Sequence, residues 1–283
     1  MKTFTERYIR RSELFQLILL QHLYARPESA GLIFQGGTAI RWCHSGGRFS
    51  EDLDFVTHLE RPMLERLLKA IEAAVTRESI AHFGPGRLTI AVRGPREQGM
   101  VWRMAFEPQN TRDRIMVRLE CERLQEGVAL ATEPRVLGLQ PAVSYLITRG
   151  EFRIPRPNSV LVVETLEEIL SDKVRALLER PYLKGRDIYD VWHLRERLNV
   201  PVVRKVVERK LSGYDAPFTP RRLPDWFETA SSAIIKEAIE KDLGRFLSPE
   251  VMAACRNDGY RPFLDALSGL FRELRESGMV ILS

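Results

Sequence analysis

The amino-acid sequence predicts an α+β protein, in which a mixed sheet with flanking helices is followed by a mainly helical C-terminal half. Three observations support this class. Two glycines and then an Asp-x-Asp segment follow a short apolar run near residue 32. Segments with strand alternation come between residues 88 and 120, and apolar residues recur at helical spacing after residue 165. We therefore predict a sheet domain at 1–160 and a helical domain at 161–283 that completes the active site.

The composition is that of an ordinary globular protein. Hydrophobic residues make up 44% and charged residues 29% of the 283 positions, which is enough to bury a substantial core. The formal charge of +5 permits a polyanionic partner without requiring one. The N-terminus has no cleavable apolar core, and the apolar run from Leu14 to Leu20 is too short for a membrane span. We expect a cytoplasmic protein.

The first structured segments place two glycines at the start of a helix. Residues 5–24 have the spacing of a helix, Leu32 to Phe34 read as a strand, and helical character resumes at Thr38. Gly36 and Gly37 lie between them, where backbone N–H groups are open to an anion without interference from Cβ atoms. Gly36, Gly37 and Thr38 are therefore predicted to bind the phosphates of a nucleotide.

The segment after this turn carries two carboxylates on one face of a strand. Successive side chains of a strand point to opposite faces, so Asp52 and Asp54 lie together while Leu53 and Phe55 point the other way. Two neighbouring carboxylates repel each other unless a cation lies between them, and oxygen ligands favour a hard divalent ion. We predict a site for one or two Mg²⁺ ions, preceded by two further nucleotide-binding candidates, Arg48 and Ser50.

Three strand-like segments follow a helix that begins near Pro62. They cover residues 88–92, 100–106 and 114–120, and the turn residues between them predict an antiparallel meander. Alternation in the last segment places Met116, Arg118 and Glu120 on one face. Glu120 is the candidate third carboxylate for the metal, and Glu122, two residues on, is its rival.

A lysine in an apolar stripe marks the second half. Thr165 and Glu168 resemble a capping box, and the helix that they begin should end near Arg180. Lys173 lies within the apolar stripe of this helix, where an unpaired ammonium would be costly to bury. The side chain either extends along its stem to water or binds carboxylates or a nucleotide phosphate.

A second helix begins after Lys184 and places Asp187 and Asp190 on one face, three residues apart. Asp187 is also where the helix dipole favours an acidic residue. Beyond residue 198 the chain is mainly helical. Its basic pairs suggest either a solvated face or a stripe facing RNA: Arg204-Lys205, Arg209-Lys210 and Arg221-Arg222.

The glycine turn followed by Asp-x-Asp resembles the polymerase-β-type nucleotidyltransferase superfamily. The later Lys…Lys-x-Arg-Asp-x-x-Asp arrangement resembles more narrowly the AbiEii-type proteins, the toxin half of type IV toxin–antitoxin systems, which include the MenT toxins. The resemblance covers roughly residues 30–200. It implies catalytic roles for Asp52, Asp54 and Lys173 and for Asp187 or Asp190.

The resemblance implies a fold and a reaction as well. The fold would be the mixed sheet of the polymerase-β-like enzymes. The reaction would transfer a nucleotide monophosphate from an NTP and release pyrophosphate. The MenT relatives imply the 3′ end of tRNA as acceptor, hence a block on translation, and a cognate antitoxin from a neighbouring gene. Three alternatives stay open: a protein acceptor, a small molecule such as an aminoglycoside, or a non-catalytic module that binds RNA or a partner.

Overall fold

A computed structural model of the chain describes residues 6–93, 100–110, 114–153, 159–229 and 232–279. The chain forms two compact units, one spanning Thr5–Glu164 and the other Thr165–Ser283. Within the described residues, no helix is both long and apolar enough to cross a membrane.

The first unit contains the sheet and four helices in its described residues. In chain order these are α1 (Glu6–Leu23), β1 (Leu32–Gln35), α2 (Gly36–Cys43), β2 (Asp52–Thr57), α3 (Arg61–Phe83), β3 (Gly86–Arg93), β4 (Met100–Pro108), β5 (Ile115–Arg123), β6 (Thr132–Val136), α4 (Pro141–Thr148) and β7 (Val160–Glu164). Short 3-10 turns lie at Pro27–Gly31 and Leu137–Leu139.

The sheet of the first unit is mixed, as predicted. Its strand order is β3-β4-β5-β2-β1-β7-β6. Strands β3, β4 and β5 form the expected antiparallel meander. Strand β2 runs parallel to β5 and antiparallel to β1, and β1 runs parallel to β7. The acidic strand β2 therefore lies in the interior of the sheet, next to both the glycine turn after β1 and the last strand of the meander.

One face of the sheet is covered by helices. Helix α1 contacts β5, and α3 contacts β3 and β4. The side chains that alternate toward this covered face are buried and apolar, among them Leu53, Phe55, Trp102 and Leu119. The polar residues between them point to the opposite face, because successive side chains of a strand alternate.

The second unit is helical, as predicted. Its described helices are α5 (Leu166–Glu179), α6 (Gly185–Trp192), α7 (Arg204–Ser212), α8 (Trp226–Thr229), α9 (Ser232–Leu243), α10 (Pro249–Asn257) and α11 (Arg261–Glu276), with a π-helical turn at His193–Arg197. The sequence did not predict α10 as a separate helix. The expected capping box is also wrong, because the Thr165 side chain makes no capping hydrogen bond, although α5 begins directly after it.

The basic pairs of this unit do not form a continuous exposed stripe. Arg209 pairs with Glu168, and Lys210 is fully buried. Arg222 donates hydrogen bonds to the backbone carbonyls of Leu177 and Arg180. The hypothesis of an RNA-facing stripe is wrong for these side chains, since packing within the unit already uses them.

Candidate active site

The two aspartates of β2 lie together on one face of the strand. Leu53 and Phe55 are fully buried, whereas Asp52 and Asp54 are only half-buried. Strand pairing places Asp54 opposite Gln35, the last residue of β1. The predicted alternation is therefore confirmed, and both carboxylates lie on the sheet face opposite α1 and α3.

The glycine turn packs directly against this acidic strand. Helix α2 begins at Gly36, two residues earlier than predicted, and Gly36 has a φ of +78°. A Cβ atom at Gly36 would lie 2.7 Å from Oδ2 of Asp54, and one at Gly37 would overlap the guanidinium of Arg48. Both positions therefore need glycine because acidic and basic side chains fill the space that a side chain would take.

Thr38 is hydrogen-bonded to the first residue of the acidic strand. Thr38 is fully buried, and its hydroxyl donates a hydrogen bond to the backbone carbonyl of Asp52. Residues 36–38 thus join the start of α2 to both aspartate positions of β2. Backbone N–H groups at the start of a helix attract anions, and binding of phosphate by residues 36–38 stays a prediction.

Arg48 and Ser50 lie in the segment that leads into β2. Arg48 is only 3% exposed and donates a hydrogen bond of 2.8 Å to the carbonyl of Phe49. The backbone carbonyl of Ser50 accepts a hydrogen bond of 2.8 Å from Gln16 of α1. Arg48 therefore packs against the glycine turn at Gly37. Direct binding of phosphate by Arg48 or Ser50 stays a prediction.

The strand register separates the two candidates for the third carboxylate. Glu120 of β5 lies opposite Asp54 in the parallel pairing, whereas Glu122 lies opposite Val56. Glu122 is also exposed to solvent. Both glutamates point to the face of the aspartates, but only Glu120 is paired directly with one of them, so it is the residue brought beside the aspartates.

In the second unit, Lys173 of α5 lies between two carboxylates of α6. Its Nζ is 3.1 Å from Oδ1 of Asp187 and 2.8 Å from Oδ2 of Asp190. Lys173 is 8% exposed, Asp187 2% and Asp190 1%. The lysine does not extend to water, because its charge is balanced inside the unit by both aspartates that the sequence singled out.

Asp187 is held in its ionised form. Burial alone would raise the pKa of its carboxyl, but Lys173, Arg180 and Arg186 lower it well below its usual value. Arg180 also donates a hydrogen bond to Oδ2 of Asp187. Sequence reasoning missed Arg180, whose only signal was its position at the predicted end of α5.

A comparison with known families gives a match over most of the chain. The model of the family described as "Nucleotidyl transferase AbiEii toxin, Type IV TA system" matches residues 18–272. The chain belongs to the AbiEii family. It is a nucleotidyltransferase, and the resemblance seen in the sequence is confirmed. No curated protein matches it in sequence.

Solved structures share the fold of this AbiEii chain. An H. pylori protein described as a candidate nucleotidyltransferase aligns with a TM-score of 0.54 at 16% identity and covers 98% of this chain and 100% of its own. The Helicobacter pylori protein JHP933 aligns with a TM-score of 0.53 at 16% identity, over 98% of this chain and 97% of its own. At such identity the likeness concerns the fold alone, and it confirms the predicted α+β class.

Arg118 lies among the candidate carboxylates of this AbiEii chain, although the sequence reasoning did not single it out. It lies opposite Asp52 in the β2–β5 pairing, and its Nη2 is 2.9 Å from Oδ2 of that residue. Its Nε is 2.5 Å from Oε1 of Glu120. Partial burial lowers the pKa of Arg118, but Asp52 and Glu120 outweigh this effect and raise it. Strand alternation had already placed Arg118 on the face of Glu120, which was the signal available.

The donor set suits a hard divalent cation. Asp52, Asp54 and Glu120 offer carboxylate oxygens on one sheet face, which are the ligands that Mg²⁺ prefers. As they lie, however, the described residues contain no group of three His, Cys, Asp or Glu side chains arranged to hold a metal. The guanidinium of Arg118 lies between Asp52 and Glu120, where a metal ion would otherwise bind. The three carboxylates are chemically suited to the metal, but Asp52 and Glu120 would have to break their ion pairs with Arg118 in order to bind it.

Proposed function

We propose that this enzyme transfers a nucleotide monophosphate from an NTP to an RNA acceptor, the 3′ end of tRNA, in a Mg²⁺-dependent reaction that blocks translation. One observation carries the proposal: Asp52 and Asp54 lie side by side against the glycine turn, with Glu120 in register beside them. The start of a helix can bind phosphate groups, and the carboxylates beside it can bind a metal ion. Together these two features suit a triphosphate with its metal.

The residues of the first unit would hold and orient the triphosphate. Asp52, Asp54 and Glu120 would be the metal ligands, and a bound divalent cation would neutralise charge on the phosphate oxygens. Backbone N–H groups at Gly36 and Gly37 would donate to phosphate oxygens. Most of the rate gain in such a reaction comes from positioning and charge neutralisation rather than from covalent catalysis.

The residues of the second unit would divide two tasks. Lys173 would bind a nucleotide phosphate, and Asp187 would orient the Lys173 side chain. Asp187 is a poor proton acceptor because its carboxyl stays ionised far below neutral pH. Asp190, which is also ion-paired with Lys173, would be the other candidate to accept the proton of the attacking hydroxyl. The family assignment also implies a cognate antitoxin, which we expect to be encoded by a neighbouring gene.

The test is a transfer assay with the purified full chain. Each α-³²P-labelled NTP is incubated in turn with Mg²⁺ and total tRNA, and the products are separated. Asp52→Asn and Lys173→Ala are the test variants. Asp265→Asn is the matched control, because it removes an exposed carboxylate from α11.

Label on the tRNA that is lost in both test variants and kept in the control is the expected result. Label on a protein, or on an added aminoglycoside, would replace RNA as the acceptor and leave the nucleotidyltransferase reaction in place. Transfer that continues in Asp52→Asn would contradict the assignment of the acidic strand.

A further inference from the structure

The sheet face that carries the carboxylates continues into a cluster of arginines. Strand pairing aligns Ala91, Arg103, Arg118 and Asp52 in one row across β3, β4, β5 and β2. Side chains within such a row point to the same face, and neighbouring strands lie about 4.8 Å apart. The row therefore leads from the acidic site outward across two further strands.

Four arginines on this side of the meander form a group that we refer to as the arginine face: Arg93, Arg103, Arg114 and Arg118. Arg87 points to the same side, opposite Glu107, and is not counted in this group. Arg93 is one diagonal step from Arg103 on the neighbouring strand. Three of the four are exposed and Arg103 is half-buried. Because α1 and α3 cover the opposite side of β3, β4 and β5, the arginine face lies on the side that these helices leave uncovered.

The positive charge of this surface is only partly balanced. Arg114 pairs with Glu107 at 2.9 Å, and Arg118 pairs with the carboxylates of the site. Among the described residues, Arg93 and Arg103 make no ion pair. The pKa of Arg103 is lowered by loss of solvation and by the charges of Arg93, Arg114 and Arg118, which agrees with crowded like charges.

We propose that the arginine face binds the phosphate backbone of the acceptor RNA and leads its 3′ end to the carboxylate site. This inference rests on the proposed function. Guanidinium groups are well suited to phosphate oxygens, which they can bind through two parallel hydrogen bonds. The charge of this exposed basic surface is complementary to that of a polyanion. The surface borders the proposed site of nucleotide transfer, because the row that contains Arg103 and Arg118 ends at Asp52.

The chemistry of the surface also indicates how the RNA is recognised. The described residues on this face of β3, β4 and β5 include no aromatic side chain on which bases could stack. Binding therefore depends on phosphate charge, tolerates different sequences and weakens with salt. An acidic protein surface is the competing partner, and the experiment separates the two.

The experiment compares Arg93→Gln/Arg103→Gln with the wild type, using the full chain and labelled tRNA. Affinity is measured by fluorescence anisotropy over a range of KCl concentrations, and steady-state transfer to tRNA is measured in parallel. Arg66→Gln is the control, because it removes an exposed arginine from α3, which packs on the covered side of the sheet.

We expect the double variant to bind tRNA about tenfold more weakly, and its salt slope to fall by about 1.4 for two lost phosphate contacts. The KM for tRNA should rise, while kcat and the KM for NTP stay at their wild-type values. An unchanged tRNA affinity in the double variant, or an equal loss in Arg66→Gln, would overturn the arginine face as the RNA surface.

The two proposals fail in different ways. If wild-type protein labels tRNA and the double variant does so with the same KM, the arginine face is wrong and the proposed function stands. If the wild type labels only a protein, and the arginine changes weaken that reaction, the surface binds an acidic protein. That result would overturn the RNA assignment for both.

Discussion

The substitution Gly36→Ala would test whether the glycine turn positions the acidic strand. An alanine at this position must adopt a φ near +78°, which costs about 1 kcal/mol for a residue with a Cβ atom. Its Cβ would also lie 2.7 Å from Oδ2 of Asp54, so the carboxylate must retreat by about 0.7 Å to reach an ordinary 3.4 Å contact. The substitution therefore combines a small loss of stability with displacement of a proposed metal ligand.

Gly127 offers a matched control for the backbone effect. It lies in the loop between β5 and β6 with a φ of +79°, and a Cβ there would meet no atom within 4 Å. Both alanine variants should lower Tm by about 2–4 °C for each kcal/mol lost. Only Gly36→Ala should reduce the rate of nucleotidyl transfer, by about 100-fold, because a shift approaching 1 Å in a catalytic group has an effect of that size.

The assay is the initial rate of label transfer from the preferred α-³²P-NTP, measured alongside thermal unfolding of both variants. A transfer rate for Gly36→Ala within threefold of that for Gly127→Ala would refute the reasoning. It would show that the carboxylate of Asp54 can move without consequence, and hence that the close packing of turn and strand has no role in the reaction.

Three further results are expected. Asp187→Asn should lower the free energy of unfolding in urea by about 3 kcal/mol at pH 7, because it leaves Lys173 and Arg180 only partly compensated. The pKa of Asp187 is depressed, so its stabilising effect is complete above about pH 4. The difference between variant and wild type should therefore shrink as pH falls below 4, and a constant difference down to pH 3 would contradict this. Lys210→Met should cost about 3 kcal/mol in the same urea titration, since the fully buried ammonium lies 2.7 Å from Oδ2 of Asp172, and an unchanged midpoint would show that this pair is dispensable. Arg118→Gln should bind Mn²⁺ about fivefold more tightly in electron paramagnetic resonance titrations, because it removes a half-exposed competitor for two carboxylates, and equal or weaker binding would argue against that competition.

Local chemistry in the sequence determined much of this protein. Strand alternation was enough to place Asp52 and Asp54 on one face, because the side-chain period of a strand is two. The apolar stripe of α5 was enough to single out Lys173, although it left open whether the side chain extends to water. The three-residue spacing of Asp187 and Asp190 placed them on one face of a helix. The order of these motifs also indicated the family, which the match over residues 18–272 confirms.

Contacts between distant segments were settled only by the tertiary structure. Pairing of β2 with β5 joins residues more than sixty positions apart, and it separates Glu120 from Glu122 and brings Arg118 to Asp52. No local pattern encodes such a register. The sequence was equally unable to show the environment of the basic pairs in the tail. Lys210 and Arg222 look like surface residues by composition, but both make hydrogen bonds within the helical unit. Burial and partner depend on what packs opposite a residue, and the chain fixes that only once it has folded.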